Sequence, residues 1–212
     1  MQFDSKDIEK LDKIYRLNLI NSISGIKPAM LVGTLSGTDQ SNLAIFSSVF
    51  HLGSNPPLLG MISRPDAEVP RHTLTNIKAR GRYTLNHLPY THTQNGHYTS
   101  AKFEKEISEF ETCGFAEAHL DFAIPFVAES PIKLGMSLKQ IVPIEANGTV
   151  LIIGEVVKII LEDKIIDAQG QLDLEAAGSA GISGLNSYYS LSKIASYPYA
   201  RVSELPIFGK EK

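Results

Sequence analysis

The 212-residue sequence contains little cysteine and no long apolar run. Its one cysteine, Cys113, excludes an internal disulfide and a zinc site built from cysteines. No apolar run approaches the ~20 residues that span a bilayer. The first ten residues, MQFDSKDIEK, lack the apolar core of a signal peptide. We therefore expect a soluble, cytoplasmic protein with no membrane partner.

The sequence also lacks an excess of basic residues. Lysine and arginine number 20 against 23 aspartate and glutamate residues, so the net charge is -3 and does not indicate a nucleic-acid partner. The histidines His87, His92 and His97 are spaced by five, which places them on neither one helix face nor one strand face. We therefore predict no metal site. With 43% apolar and 20% charged residues, the composition is that of a globular protein with a buried core.

Three common catalytic signatures are missing. There is no G-x-G-x-x-G after a strand, so a Rossmann dinucleotide site has no support. There is no G-x-x-x-x-G-K-[ST], so a P-loop is excluded. The stretch GISGL near residue 183 lacks the final glycine of a nucleophile elbow, and no strand is predicted before it.

Short β-rich runs dominate what is present. AMLVGTLS, NLAIFSSVF, PLLGMIS and RYTLNHL each read as one strand, and two longer runs flank Asn147-Gly148, which predicts a hairpin with a type I′ turn. Gly154 inside the second run predicts a bulge or a tight bend. Regular strand–helix alternation is absent. The sequence therefore predicts a mainly β barrel or sandwich with short helical insertions.

The helical patterns are short. Residues 1–24 form a predicted helical lead-in, and residues 25–212 a single domain with a C-terminal extension. RHTLTNIKARG predicts a helix with Thr73 as N-cap and Gly81 as its end. Residues 91–120 are polar and partly helical, which favours a loop-plus-helix insertion between strands.

Polar side chains concentrate between residues 41 and 76. Arginine forms bidentate pairs with phosphate, hydroxyls donate single hydrogen bonds, and a helix start presents free N–H groups to an anion. Together they suit a phosphate monoester or a nucleotide. Each residue also has a plainer interpretation: hydroxyls bonded to backbone, surface arginines, and a threonine that only caps a helix. The residues are Asn42, Ser47, Ser48, Ser63, Arg64, Arg71, His72, Thr73 and Asn76.

The order of motifs resembles the flavin reductase-like family of FMN-binding split barrels. The matching segments are LVGTLSG, SNLAIFSS, NPPLLGMIS, HTLTNI and GRYTLN, followed by the Glu-Phe of EFETCGF, by VAESPIKLGMSLKQIVPI and by LIIGEVVKIIL, over roughly residues 25–190. The sequence departs from the family in two places. Many relatives have a proline where this chain has Ile45, and His72 replaces a lysine or aspartate before the threonine of HTLTNI.

The resemblance implies a split β-barrel of Greek-key type, a homodimer and an FMN site. Ser47 and Ser48 would contact the phosphate and ribityl chain, and Ser63 and Arg64 would face the phosphate. Thr73 would lie near that phosphate, assisted by Arg71 or His72. Asn42 and the backbone around Thr34 and Leu35 would border the isoalloxazine ring. Asn76 would brace a loop, and Pro56-Pro57 would return the chain to the flavin.

The function that the resemblance implies is an NAD(P)H-dependent flavin reductase, which passes hydride from a nicotinamide to the flavin. His97 is the candidate catalytic residue: it or Tyr98 would shape the nicotinamide pocket, although His97 also fits an exposed loop histidine. A flavoredoxin-like carrier, fed by a partner protein, and a barrel that only binds a small ligand remain alternatives. No ribose-reading motif separates NADH from NADPH.

Overall fold

A computed structural model describes residues 1–65 and 71–208. The helices are α1 (Ser5–Lys10), α2 (Lys13–Ser22), α3 (His72–Arg80), α4 (Thr93–Tyr98) and α5 (Glu109–Thr112). The strands are β1 (Lys27–Pro28), β2 (Met30–Leu35), β3 (Ser41–Phe46), β4 (Phe50–Ser54), β5 (Pro57–Ser63), β6 (Arg82–His87), β7 (Glu117–Ala118), β8 (Phe126–Val127), β9 (Ile132–Ile144), β10 (Thr149–Leu161), β11 (Ala180–Ser183) and β12 (Ser187–Ser190). The fold is mainly β, as predicted.

The main sheet has seven strands in the order β3-β2-β6-β9-β10-β5-β4, and all neighbours pair antiparallel. Strands β3 and β4 occupy its opposite edges, yet only residues 47–49 connect them. So short a connection requires the two edges to meet, and the sheet therefore curls into a barrel. Hydrogen bonds from Ser48 to the backbone of Ile62 on β5 join the two edges at this point.

Both faces of β2 are buried, since two cores share it. Met30 and Val32 belong to the core inside the barrel, and helix α3 adds Leu74 and Ile77 to it. Leu31 lies in a second core with residues of α5, β8 and β11. This explains why β2 reads as a continuous apolar run, in which neighbouring residues point to opposite faces.

We predicted one strand for the stretch NLAIFSSVF, and this is wrong. The stretch contains most of β3, then a bend, then the first residue of β4. Apolar and small residues continue through the bend, so nothing local marks the crossing between sheet edges. Beyond it, β4 and β5 form a hairpin in which Ser54 pairs with Pro57. The turn between them is Asn55-Pro56, whose peptide bond is cis. The predicted turn at the prolines is therefore present.

The long hairpin β9–β10 is present, but its turn differs from the prediction. Thr149 pairs with Ile144, so the loop has four residues, 145–148, and not two. Within it, Gly148 has a positive φ of 69°, and Asn147 does not, whereas a type I′ turn needs positive φ at both central residues. The predicted irregularity at Gly154 is present as a register shift between Ile153 and Gly154, but its extra residue is Lys139 on the opposite strand, β9.

Helix α3 also begins differently from the prediction. Its N-cap is Arg71, no side chain caps it with a hydrogen bond, and Thr73 is its second residue. Gly81 ends the helix in the left-handed conformation, with φ 65°, and its N–H donates to the carbonyl of Ile77. The predicted end of the helix is therefore confirmed, and the predicted start is wrong.

The remaining elements lie outside the main sheet. The lead-in is helical as predicted, in two helices: Asp4 caps α1 in a capping box, and Asp12 caps α2. Residues 91–120 form the predicted loop-plus-helix insertion, with Phe110 of α5 buried in the second core. Strands β11 and β12, which join β1 in a small sheet, were not predicted.

Candidate functional site

Five buried polar side chains from four elements form one hydrogen-bonded cluster at the start of β3. Asn42 Oδ1 accepts from Thr34 Oγ1 at 3.2 Å and from Thr73 Oγ1 at 3.1 Å. Asn76 Nδ2 donates to Thr34 Oγ1 at 3.0 Å. Asn76 thus braces strand β2 from helix α3, where we had expected it to brace a loop. The fifth member is Glu109 of α5.

Glu109 is only 5% exposed and receives three hydrogen bonds. Asn42 Nδ2 lies 2.9 and 2.8 Å from its two carboxyl oxygens, and the backbone N–H of Leu43 donates to Oε2 at 3.0 Å. Burial raises the pKa of Glu109, while these hydrogen bonds and the charge of His72 oppose the rise. Ser41 Oγ lies 2.8 Å from Ser108 Oγ, which adds a further link between β3 and α5.

A polar cleft opens above this cluster. The first turn of α3 forms one wall, and among the described residues no side-chain hydrogen bond caps the N–H groups of this turn. Lys105 and, when protonated, His72 supply positive charge. Such a cleft suits an anion. The lining residues are Ser36, Gln40, Ser41, Asn42, His72, Thr75, Asn76 and Lys105.

The predicted serines lie at the other end of β3. Ser48 Oγ donates to the carbonyl of Ile62 at 2.9 Å and accepts from its N–H at 3.1 Å, so its only proton is already used. Ser63 is buried and donates to the carbonyl of Arg64 at 3.3 Å. Ser47 is half-buried, and the Arg64 side chain is exposed.

The start of α3 connects the two groups. Arg71 Nε donates to the carbonyl of Pro65 at 3.1 Å, which ties the helix start to the segment after β5. Asn42 and Phe46, near the two ends of β3, are about 13 Å apart from a strand rise of about 3.3 Å per residue, and Ser47 and Ser48 lie beyond Phe46. The predicted residues therefore do not converge on one point. They follow β3 from α3 at one end to β5 at the other.

His97 lies apart from both groups. Its Nδ1 is 3.3 Å from the hydroxyl of Tyr188, and the two rings meet edge to face with centroids 5.9 Å apart. Burial raises the pKa of Tyr188 to about 12. His97 is half-buried in α4, so it is not an exposed loop histidine. Helix α4, which carries His97, packs against β3, the strand that carries Asn42 of the cluster.

Several residues of the site were not predicted, namely Glu109, Lys105, Ser36, Gln40, Ser41 and Thr75. Glu109 is 67 positions from Asn42, and neighbouring Glu106 and Glu111 look identical to it in sequence. The Glu-Phe pair of EFETCGF, noted in the family resemblance, was the one signal that could have singled it out.

Across residues 1–65 and 71–208, no group of three or more His, Cys, Asp or Glu side chains could hold a metal ion. The helices in these ranges include no candidate for a membrane span.

Comparisons with known proteins agree on one family. The model of the flavin reductase like domain matches residues 26–173. A candidate flavin reductase with a split barrel domain from Shewanella frigidimarina NCIMB 400 is 43% identical, with a TM-score of 0.90, over 94% of this chain and all of that one.

Two more distant solved structures share the fold. Component B of nitrilotriacetate monooxygenase from Bacillus cereus has a TM-score of 0.81 at 17% identity, over 93% of this chain and 98% of that one. The 2-nitrobenzoate 2-nitroreductase of Pseudomonas fluorescens has a TM-score of 0.80 at 21% identity, over 99% of this chain and all of that one. The split-barrel fold is therefore common to proteins with different names.

Proposed function

The chain belongs to the flavin reductase-like domain family, and from that premise we propose that it binds FMN along β3 and reduces it with hydride from NAD(P)H. The observation that carries this proposal is the cleft at the uncapped start of α3, which the buried cluster holds against β3. Thr73 links helix and strand through Asn42. An anion-binding helix start is thereby fixed beside a strand.

The residues around α3 fit a phosphate. The N–H groups of its first turn are free of side-chain caps among the described residues. Arg64 is exposed at the end of β5, while Arg71 and His72 flank the helix start. A dianionic phosphate placed here gains charge-assisted hydrogen bonds and the favourable end of the helix dipole.

The outer edge of β3 suits the flat, polar ring system. Leu43 donates its N–H to Glu109, so it faces away from β2. In an antiparallel ladder alternate residues face the same edge, which places the N–H and C=O of Ile45 there too. Ser47, just beyond β3, adds a hydroxyl for the ribityl chain. Leu35, at the end of β2, borders the same region.

The predicted residues whose hydroxyl or amide groups are hydrogen-bonded within the protein shape the wall of the site. Thr34, Asn42 and Thr73 satisfy one another, and Ser48 and Ser63 are bonded to backbone. A hydroxyl already donating inside the protein has no second proton to give to a ligand. In this proposal these five residues fix the shape and position of the site, while Ser47, Arg64, Arg71 and His72 contact the cofactor.

Bound FMN supplies the redox chemistry, because it accepts a hydride from a reduced nicotinamide. The task of the chain is then to hold and orient the cofactor and to leave room for the nicotinamide against it. No acidic or basic side chain is needed for hydride transfer itself. Helix α4 packs on β3, and we assign His97, with Tyr98, to the wall of the nicotinamide pocket.

We further propose that the protein is a homodimer. Helix α2 buries none of its residues and exposes Ile14, Tyr15, Leu17 and Ile20. In the C-terminal segment, Ile194 is 98% and Phe208 80% exposed. Apolar patches of this extent are typical of interaction surfaces, and a second copy of the chain would cover them.

The test is a visible absorption spectrum. The protein is mixed with FMN, desalted, and treated under anaerobic conditions with NADH and, separately, with NADPH. We expect flavin bands that survive desalting and bleach with at least one nicotinamide.

Each other outcome has a distinct meaning. Retained bands that neither nicotinamide bleaches would overturn the reductase and favour an electron carrier. A colourless protein that also fails to catalyse nicotinamide oxidation with added FMN would remove flavin from the proposal.

A further inference from the structure

Glu109 is a buried carboxyl group with an unusual set of neighbours. In the described part of the chain it forms no salt bridge with lysine or arginine; its partners are the amide of Asn42 and the backbone of Leu43. Burial of a charge without a paired cation is costly. Its position in the protein interior therefore calls for a role that offsets this cost.

Each hydrogen bond of the buried cluster is donated towards Glu109. Asn76 donates to Thr34, Thr34 and Thr73 donate to Asn42 Oδ1, and Asn42 donates through Nδ2 to Glu109. Both lone pairs of the Asn42 carbonyl are then in use. Because both carboxyl oxygens of Glu109 only accept hydrogen bonds, the ionised carboxylate is the form that completes the cluster.

We infer that Glu109 is a positioning residue for the flavin site: its carboxylate fixes the orientation of Asn42, and Asn42 in turn fixes Thr73 and the start of α3. This inference rests on the proposed function. Glu109 touches no ligand in this scheme, since it lies behind Asn42. If Asn42 turned over, its NH₂ group would face two hydroxyls that now donate to its oxygen, and α3 would lose its link to β3.

The inference makes the site sensitive to acid. Because burial raises the pKa of Glu109, it takes up a proton at a higher pH than an ordinary glutamate. Protonated Glu109 carries an O–H donor, but the groups that surround its carboxyl are themselves donors. The other titratable groups that face this region are His72 on α3, Lys105 in the cleft, and Cys113 just after α5, whose own pKa is raised by burial and by Glu109. Protonation of His72 would strengthen the binding of an anion, which is the opposite effect.

The test is equilibrium dialysis of FMN and of riboflavin between about pH 5 and about pH 8. Three proteins are compared: the unmodified chain, Glu109→Gln, and Glu111→Gln as the matched control. Glu111 lies on the same helix but is exposed. Riboflavin has no phosphate, so its pH profile is free of phosphate ionisation.

We expect Glu109→Gln to weaken FMN by about tenfold to a hundredfold at the upper end of this range, the equivalent of a hydrogen bond to a charged group. The affinity of the unmodified chain for riboflavin should fall on acidification, that of Glu109→Gln should not, and Glu111→Gln should follow the unmodified chain.

The outcomes of this test distinguish an error in the inference from an error in the proposed function. If the unmodified chain binds neither flavin at any pH, the proposed function is wrong. If it binds and Glu109→Gln binds equally well with the same pH profile, Glu109 has no positioning role. If Glu109→Gln does not fold by circular dichroism, the unmodified chain decides: riboflavin affinity that stays flat or rises on acidification overturns the inference.

Discussion

Two adjacent serines with the same chemistry occupy different environments. Ser48 joins the barrel edges through two hydrogen bonds to Ile62, whereas the Ser47 hydroxyl has no hydrogen-bond partner among the described residues. We therefore expect Ser48→Ala to lower the free energy of unfolding by about 1–3 kcal/mol, since two backbone groups lose their partner. Ser47→Ala should change it by less than about 0.5 kcal/mol.

Urea denaturation of both variants checks this difference, and FMN dialysis gives the complementary result. Ser47→Ala should weaken FMN without loss of stability. Equal stabilities for the two variants would show that Ser48 does not join the edges, and unchanged FMN affinity in Ser47→Ala would remove Ser47 from the site.

Arg64 is the residue that we most directly assign to the phosphate. Its replacement in Arg64→Ala should weaken FMN binding by about 1.5–3 kcal/mol, as for a hydrogen bond to a charged group. Riboflavin binding should be nearly unaffected, because it has no phosphate. Arg82→Ala, an exposed arginine whose guanidinium lies over Phe122, is the control and should bind both flavins normally. An equal loss for FMN and riboflavin in Arg64→Ala would rule out phosphate pairing.

His87 should limit stability in acid. Burial lowers the pKa of His87 from 6.5 to about 4, so it stays neutral in the folded protein while the unfolded chain takes up a proton. Its contribution is present above about pH 6.5 and is lost as the pH falls towards about 4, by roughly 1–3 kcal/mol. Denaturant unfolding at several pH values should show a smaller acid loss for His87→Gln. The same slope in both proteins would contradict the assignment.

Residue types at the site could be predicted from the sequence, and their partners could not. Hydroxyls, arginines and a helix start in one sequence window were enough to suggest an anion site. The sequence does not show which of these side chains are already hydrogen-bonded inside the protein. That depends on contacts between distant residues, such as Asn42 and Glu109, which are 67 positions apart. Thr73 shows the limit: predicted as a helix cap, it is the second residue of α3 and bonds to a strand instead.

At the scale of elements, the register shift of the β9–β10 hairpin at Gly154 is the clearest case of a local signal that holds. A Cβ at Gly154 would overlap the Tyr83 hydroxyl, on a side chain that is fully buried. Gly154→Ala should therefore destabilise the protein by about 1–3 kcal/mol, the usual cost of overpacking. Gly37→Ala is the control, since a Cβ added there would have no neighbour within 4 Å, and it should change stability by less than about 1 kcal/mol. Similar melting temperatures for both variants would contradict the close approach of Tyr83 to Gly154.

Strands with strong β patterns were predicted well, and their connections less so. The hairpin β9–β10 follows from two apolar runs around a turn sequence, but its loop has four residues because the register, and not the Asn-Gly pair alone, sets its length. The break between β3 and β4 was missed because it is a consequence of barrel closure. Barrel closure depends on all seven strands together, so the nine residues of NLAIFSSVF alone do not indicate it.

At the scale of the whole molecule, the apolar surfaces of α2 and of residues 194–208 predict self-association. Light scattering coupled to gel filtration should give twice the 23.2 kDa of one chain. Ile20→Glu, which places a charge in the exposed face of α2, should shift the mass towards one chain, whereas Lys13→Glu on the same helix should not. A mass of one chain for the unmodified protein would contradict the homodimer. The division into a lead-in and one domain remains a prediction.

The account is tested most directly by a crystal structure of the protein grown with FMN. We predict flavin density along β3, with the phosphate at the start of α3 near Arg64, Arg71 and His72 and the ring beside the outer edge of the strand. Density for FMN elsewhere in the protein, or none at saturating FMN, would contradict the site that we have assembled.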